Sequence, residues 1–239
     1  MGRQHQRIIL VLHEDTEMKR KETGNQDQKE LNRTLSEAEQ KRLDQFEARA
    51  GELIRQGYRR VNLTVSIVSA NIFAVVLLIP VMALGFWLFW LKNGTLAGGI
   101  SSGGVGGLLL FLVVMLVLVA VHELIHGLSW SLFTEHRFGD IEFGFMKQYL
   151  TPYCTCLVPL SRGQYIFGAL MPLIVLGILP MIVGILTGSM PVLFMGIIMT
   201  VSAAGDIMIV WRLLTYRSQA ETVVYIDHPT QAGGVIFEK

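Results

Sequence analysis

From residue 61 onward the chain alternates long apolar runs with short polar joints. Four runs, at about 61–91, 106–134, 165–186 and 191–214, are each long enough to cross a bilayer, which takes ~20 residues. Pro80 predicts a kink in the first, and the third carries Pro172 and Pro180. Ahead of them, residues 13–35 are polar and show no apolar period, which reads as disorder. Ser36-Glu-Ala-Glu39 then forms a capping box. Leu43, Phe46, Ala50, Leu53 and Ile54 follow at helical spacing, so a helix is predicted over 36–57, stopping at Gly57. Its apolar face can lie on the membrane surface, against the membrane domain, or belong to a solvated connector.

Two other stretches read as β. Asp140-Ile-Glu-Phe-Gly-Phe-Met146 alternates in part, and residues 149–160 are β-branched and aromatic. They predict two strands at the membrane surface, or an ordinary structured loop; as strands they would form a platform for an extended substrate. Thr222-Val-Val-Tyr-Ile226 and Val235-Ile-Phe237, with turn signals at Asp227-His-Pro-Thr230 and Gly233-Gly234, predict a C-terminal hairpin. Nothing in it reads as catalytic. The glycine-rich stretch 94–107 reads as a flexible link, because no nucleotide-binding context surrounds it.

The fold class is therefore an α-helical integral membrane protein of about four transmembrane helices, with a small cytoplasmic loop and a C-terminal β-hairpin. The expected organisation is a disordered segment over 1–35 and an amphipathic cytoplasmic helix over 36–57. A four-helix membrane domain over 58–217 and a cytoplasmic tail over 218–239 complete it. Composition agrees: of 239 residues, 51% are hydrophobic and 16% charged, against roughly 25% charged in soluble domains. The net charge of +1 gives no sign of nucleic-acid binding. Cys154 and Cys156 stand one residue apart, too close for an unstrained bridge, and read as packing residues. Residues 8–12 are too short a run for a signal-peptide core, so the first apolar segment carries targeting, and translation starts at Met1 or Met18.

Lysine and arginine set the orientation. Arg55, Arg59 and Arg60 precede the first segment; Arg137, Lys147 and Arg162 lie between the second and third; Arg212 and Arg217 close the fourth. The remaining two joints hold only Lys92, so both termini are expected in the cytoplasm of a multi-pass cell-membrane protein. Trp87 and Trp90 then anchor the opposite interface.

Against this background the second apolar run carries His122-Glu-Leu-Ile-His126. On a helix, residues four apart project from one face about 6 Å apart in height, so both imidazoles can share one metal ion. Imidazole nitrogen suits zinc. Glu123, about 100° around the helix, can take a proton from a water activated there. A catalytic zinc of this kind has three protein ligands and one open position. Asp206 is the first candidate for the third: it sits in an uncharged part of the fourth segment, where an aspartate costs ~2.5–3.5 kcal/mol and needs a partner. Counted along both helices, it lies at the histidines' depth, and Ser202, Ala203, Ala204 and Gly205 permit close approach. The rivals are Glu135, His136, Asp140 and Glu142. The soluble metzincin pattern, a histidine six residues after His126, fails at Leu132. These residues predict a zinc-dependent endopeptidase acting on membrane protein or peptide substrates near the cytoplasmic face. An ion or proton relay using the same polar groups, or an inactive relative that binds membrane proteins, are the alternatives.

His122–Gly127, Leu150-Thr-Pro-Tyr153 to Pro159-Leu-Ser-Arg162, the Pro172 and Pro180 helix, Gly205-Asp206 and Asp227-His-Pro229 together resemble a known pattern. It is similar to the intramembrane metalloproteases of the site-2 protease type. It resembles more closely a family of bacterial membrane zincin peptidases known mainly as a domain of unknown function. The resemblance covers roughly residues 58–230 and implies zinc and peptide hydrolysis. In site-2 proteases the third ligand is an aspartate followed by glycine; here Gly205 precedes Asp206 and Ile207 follows.

Overall fold

A computed structural model describes residues 37–96, 104–146 and 151–239. The expected disorder over 1–35, Ser36 of the capping box, half of the glycine-rich link (97–103) and Lys147 lie outside the described residues. Two compact units are distinguished, Met1–Leu43 and Asp44–Lys239. Of the first, only the opening turns of helix α1 (Glu37–Arg55) are described.

Within the second unit the rest of α1 packs on protein rather than leaving its apolar face free. Phe46, Ala50 and Leu53, on one face of the helix, meet Ile226, Val235 and Phe237. Arg49 donates to the Leu157 carbonyl. The helix ends where expected: Gly57 takes a left-handed conformation (φ 90°) that a side chain would resist, and the chain turns into β1 (Arg59–Thr64).

β1 corrects the expected start of the first apolar helix. Val61, Leu63 and Val65 alternate with Arg60, Asn62 and Thr64, which is a period of two. Val61 and Leu63 pack against the main core. Helix α2 (Ile67–Asn93) therefore begins six residues later than the apolar composition suggested. It is followed by α3 (Gly104–Ser131) and, after a short 3-10 turn at Arg137–Asp140, by strands β2 (Ile141–Met146) and β3 (Thr151–Cys156). These two pair antiparallel, Ile141 opposite Cys156 and Met146 opposite Thr151. The chain continues through β4 (Leu160–Ser161) into α4 (Arg162–Thr187). A complete capping box of Ser161 and Gln164 starts α4, and it becomes π-helical over Leu173–Ile178, directly after Pro172.

The last apolar segment is not one straight helix. It is α5 (Met190–Ser202) and α6 (Ala204–Thr215), bent by 46° at the break. The Ser202 hydroxyl donates to the Met199 carbonyl at 2.8 Å, the back-bonding that bends helices. Asp206 thus lies in the first turn of α6.

α2, α4 and the α5–α6 pair are long or jointly long and apolar enough to cross a membrane, as is α3. α2 closes on α5 through Phe89, Met190, Leu193 and Ile197. α3 is different: none of its most apolar stretch is buried within the protein, and its buried residues all lie from His122 to Ser131. Leu110 and Leu116 on its first half are 66% and 73% exposed, as expected for a lipid-facing surface.

The C-terminal hairpin, β5 (Val223–Asp227) and β6 (Gly233–Glu238), is more than a tail. It lies inside a four-stranded antiparallel sheet of order β1-β6-β5-β4, with Arg59 opposite Glu238 and Leu160 opposite Tyr225. β6 is buried along its whole length. Glu238 gathers Arg59, Tyr216 and Ser218, which hold its carboxyl well below the usual range, at about 2. The main core then joins the sheet to the helices through Trp130, Ile141, Cys156, Leu160, Tyr165, Ala169, Val210, Leu213, Tyr225 and Ile236. Cys154 and Cys156 are free thiols, and burial raises both; Cys156 sits in that core.

Candidate metal centre

The inner half of α3 presents His122 and His126, 7% and 4% exposed. Their Nε2 atoms stand 3.2 Å apart. Asp206 comes to them from α6. Its Oδ2 is 3.2 Å from His122 Nε2 and its Oδ1 is 3.4 Å from His126 Nε2. Among the described residues these three make one cluster of potential ligand atoms, all within 4.8 Å of one another. The rival ligands stay outside it. Asp140 is occupied at the 3-10 turn, where its Oδ2 accepts from the His136 backbone at 3.1 Å and its Oδ1 lies 3.4 Å from His136 Nδ1.

The donor set fits zinc. Ligand atoms about 2.0–2.2 Å from a tetrahedral zinc stand about 3.3–3.5 Å from one another, close to the observed separations. The protonation pattern points the same way. His126 Nδ1 lies 3.0 Å from the Gly168 carbonyl oxygen, which can only accept, so the proton of a neutral imidazole is on Nδ1. The lone pair of Nε2 then faces the Asp206 carboxylate, another acceptor. A proton on Nε2 or a metal cation between the groups relieves that opposition.

Glu123 lies beside the cluster, half-buried, with the Cys154 backbone of β3 close enough to act on its carboxylate electrostatically. β3 therefore runs past the site at the position of the candidate base. Gly127 makes this approach possible. A methyl group on it would overlap the ring of Phe143, so β2 can seat against α3 only over a bare backbone.

The surroundings hold the histidines in place. Trp130 stacks on His126 with centroids 5.1 Å apart and planes 14° apart. Its Nε1 donates to the Tyr165 carbonyl at 3.2 Å, and Tyr165 stacks on it in turn at 5.3 Å. The column ends at Asp227 of β5. Tyr165 Oη donates to Asp227 Oδ1 at 2.8 Å, the Cys156 N–H to Oδ2 at 2.9 Å, and Thr155 Oγ1 to Oδ2 at 3.3 Å. One carboxylate therefore ties the hairpin beside Glu123, the helix beside His126 and the C-terminal sheet together. Burial raises its pKa to about 6 even against these three donors. Sequence reasoning read Asp227 as a turn signal and as part of the family resemblance, not as the anchor of this network. Its signal was present, an acid closing the apolar run Val223-Val-Tyr-Ile226, a strand end that has to be buried. His228 is a turn residue, as expected: its Nδ1 accepts from the N–H groups of Thr230 and Gln231.

Residues 115–220 match the model of a family described as "Putative zincin peptidase", a domain of unknown function. The matched stretch includes His122, Glu123, His126 and Asp206, and the family is the one that the sequence resembles. No curated protein and no solved structure matches the chain.

Proposed function

We propose that this protein is a zinc-dependent endopeptidase of the membrane, cutting membrane-associated protein or peptide substrates near the cytoplasmic face. The observation that carries the reading is the convergence of His122, His126 and Asp206 from two separate helices onto one point beside Glu123. The family match supports metallopeptidase chemistry. His122 Nε2, His126 Nε2 and the Asp206 carboxylate would hold the ion. Zinc bound there would supply Lewis acidity, lowering the pKa of a water toward ~7 and polarising a carbonyl. Glu123 takes the proton of the attacking water on its carboxylate and delivers it to the leaving amine. An extended substrate lying along β3 would bring its backbone past Glu123, which fits strand addition.

The sheet supports a four-span topology. β1, β4 and β5 hydrogen-bond within one sheet, with α2 and α3 between β1 and β4, and α4 with the bent α5–α6 pair between β4 and β5. Strands sharing a sheet lie on one side of the bilayer, so each interval needs an even number of crossings, and the bent pair counts as one. The arginines at 55, 59, 60, 137, 162, 212 and 217 favour the cytoplasm for that side.

Two measurements test the proposal. Elemental analysis of the purified protein should find near-stoichiometric zinc that is lost in His122→Ala and Asp206→Ala; zinc that survives Asp206→Ala sinks that ligand. Glu123→Gln should keep zinc and fold yet abolish cleavage of membrane-protein fragments in cells. Unchanged cleavage refutes the peptidase reading, and Glu123-dependent ion flux without bound zinc favours a relay.

A further inference from the structure

In an α-helix the carbonyl of residue i accepts from the N–H of residue i+4. Gly168 is followed four residues on by Pro172, which has no N–H. The next N–H along, that of Leu173, is bonded to the Leu170 carbonyl instead. The Gly168 carbonyl is thereby released from the helix ladder, and His126 Nδ1 lies 3.0 Å from it. Gly168 serves twice: with no Cβ it also leaves room for the Trp130 indole, which a methyl group there would overlap. That indole covers the His126 ring face.

We propose that Pro172 is a positioning residue for His126. By leaving the Gly168 carbonyl unclaimed, it gives His126 an acceptor that holds a proton on Nδ1 and turns Nε2 toward His122 Nε2 and Asp206. The effect on metal affinity rests on the zinc reading above; the tautomer does not. Partners that orient a ligating histidine typically contribute 10–100-fold to metal affinity. The proline thus acts on the site from α4, through the Gly168 carbonyl.

The test begins with wild-type protein labelled with 15N-histidine and freed of metal by a chelator, with His126→Asn to assign the signals. The spectrum should show a protonated Nδ1 at His126. An unprotonated Nδ1 there overturns the inference, whatever the variants do. Pro172→Ala returns an N–H to the helix as a competitor for the Gly168 carbonyl. It should mix the tautomers and weaken zinc binding, read by competition with a chromogenic chelator, about 10-fold or more. Pro180→Ala makes the same change where the carbonyl four residues back is that of Leu176, and it should leave affinity unchanged. Equal losses in both variants, or no change in Pro172→Ala, overturn the proposal. If Pro172→Ala does not fold, the wild-type spectrum decides. Wild type with the Nδ1–H tautomer but no zinc affinity refutes the zinc reading and leaves the tautomer assignment standing.

Discussion

Asp227→Asn should change how stability responds to pH, not only how large it is. The folded-state pKa of Asp227 is about 6 against an ordinary 3.8. A carboxyl whose pKa is raised on folding contributes stability that is full below 3.8 and is lost as pH rises through 6. Going from pH 7.5 to 4.5, proton uptake at this one group therefore stabilises the fold by about 2 kcal/mol. His228 opposes it. Burial and the neighbouring Arg60 charge lower its pKa from 6.5 to about 4, and its Nδ1 is needed as an acceptor. Its stability is full above 6.5 and is lost as pH falls through 4, an effect of about the same size over the same interval. In wild type the two largely cancel. In Asp227→Asn the loss from His228 stands alone, so stability should fall by about 2 kcal/mol more steeply toward pH 4.5 than in wild type. The assay is reversible denaturant unfolding in detergent, followed by tryptophan fluorescence, with a chelator present so that metal loss on acidification does not intrude. A pH-independent offset between the variants is expected as well, because the asparagine amide cannot accept from all three donors. Parallel pH curves for wild type and Asp227→Asn refute the reasoning.

Two further outcomes follow from the site. Zinc at 100 times its dissociation constant should stabilise the protein by about 2.7 kcal/mol, seen as a raised midpoint, and Asp206→Ala should show no such rise. Gly127→Ala sets a methyl group against Phe143 and Ile141 and should destabilise by roughly 1–3 kcal/mol, with faster hydrogen exchange in β2 and β3; unchanged exchange there would show that β2 does not depend on the bare backbone.

How much of this was legible beforehand depends on whether an interaction leaves a local trace. His122 and His126 share a helix face, so their partnership follows from spacing. Asp206 could be matched to them because a carboxylate in an apolar segment needs a partner and depth along a helix can be counted. β1 was misread because Val61, Leu63 and Val65 satisfy an apolar window and a two-residue alternation equally, and only pairing with β6 decides. That pairing joins Arg59 to Glu238 across the whole apolar region, so the hairpin was read as a cytoplasmic tail whose pairing partners the sequence did not name. The α5–α6 bend falls beside a serine back-bond that composition does not announce. Asp227 and the Gly168 carbonyl act through contacts between distant segments, and a backbone carbonyl carries no sequence signal except the proline that releases it.

In the proposed four-span topology, the place of β6 between β1 and β5 would make correct insertion a condition of assembly. β1 is synthesised before every span and β6 after all of them. In the four-span topology, a molecule that fails to insert one span strands β5 and β6 on the wrong side of the bilayer. The sheet then cannot close, Asp227 never meets Tyr165 and Cys156, and the hairpin beside Glu123 loses its tether. Such a molecule would leave its apolar strands exposed as a target for quality control, and it would carry no organised hydrolytic centre while it waited.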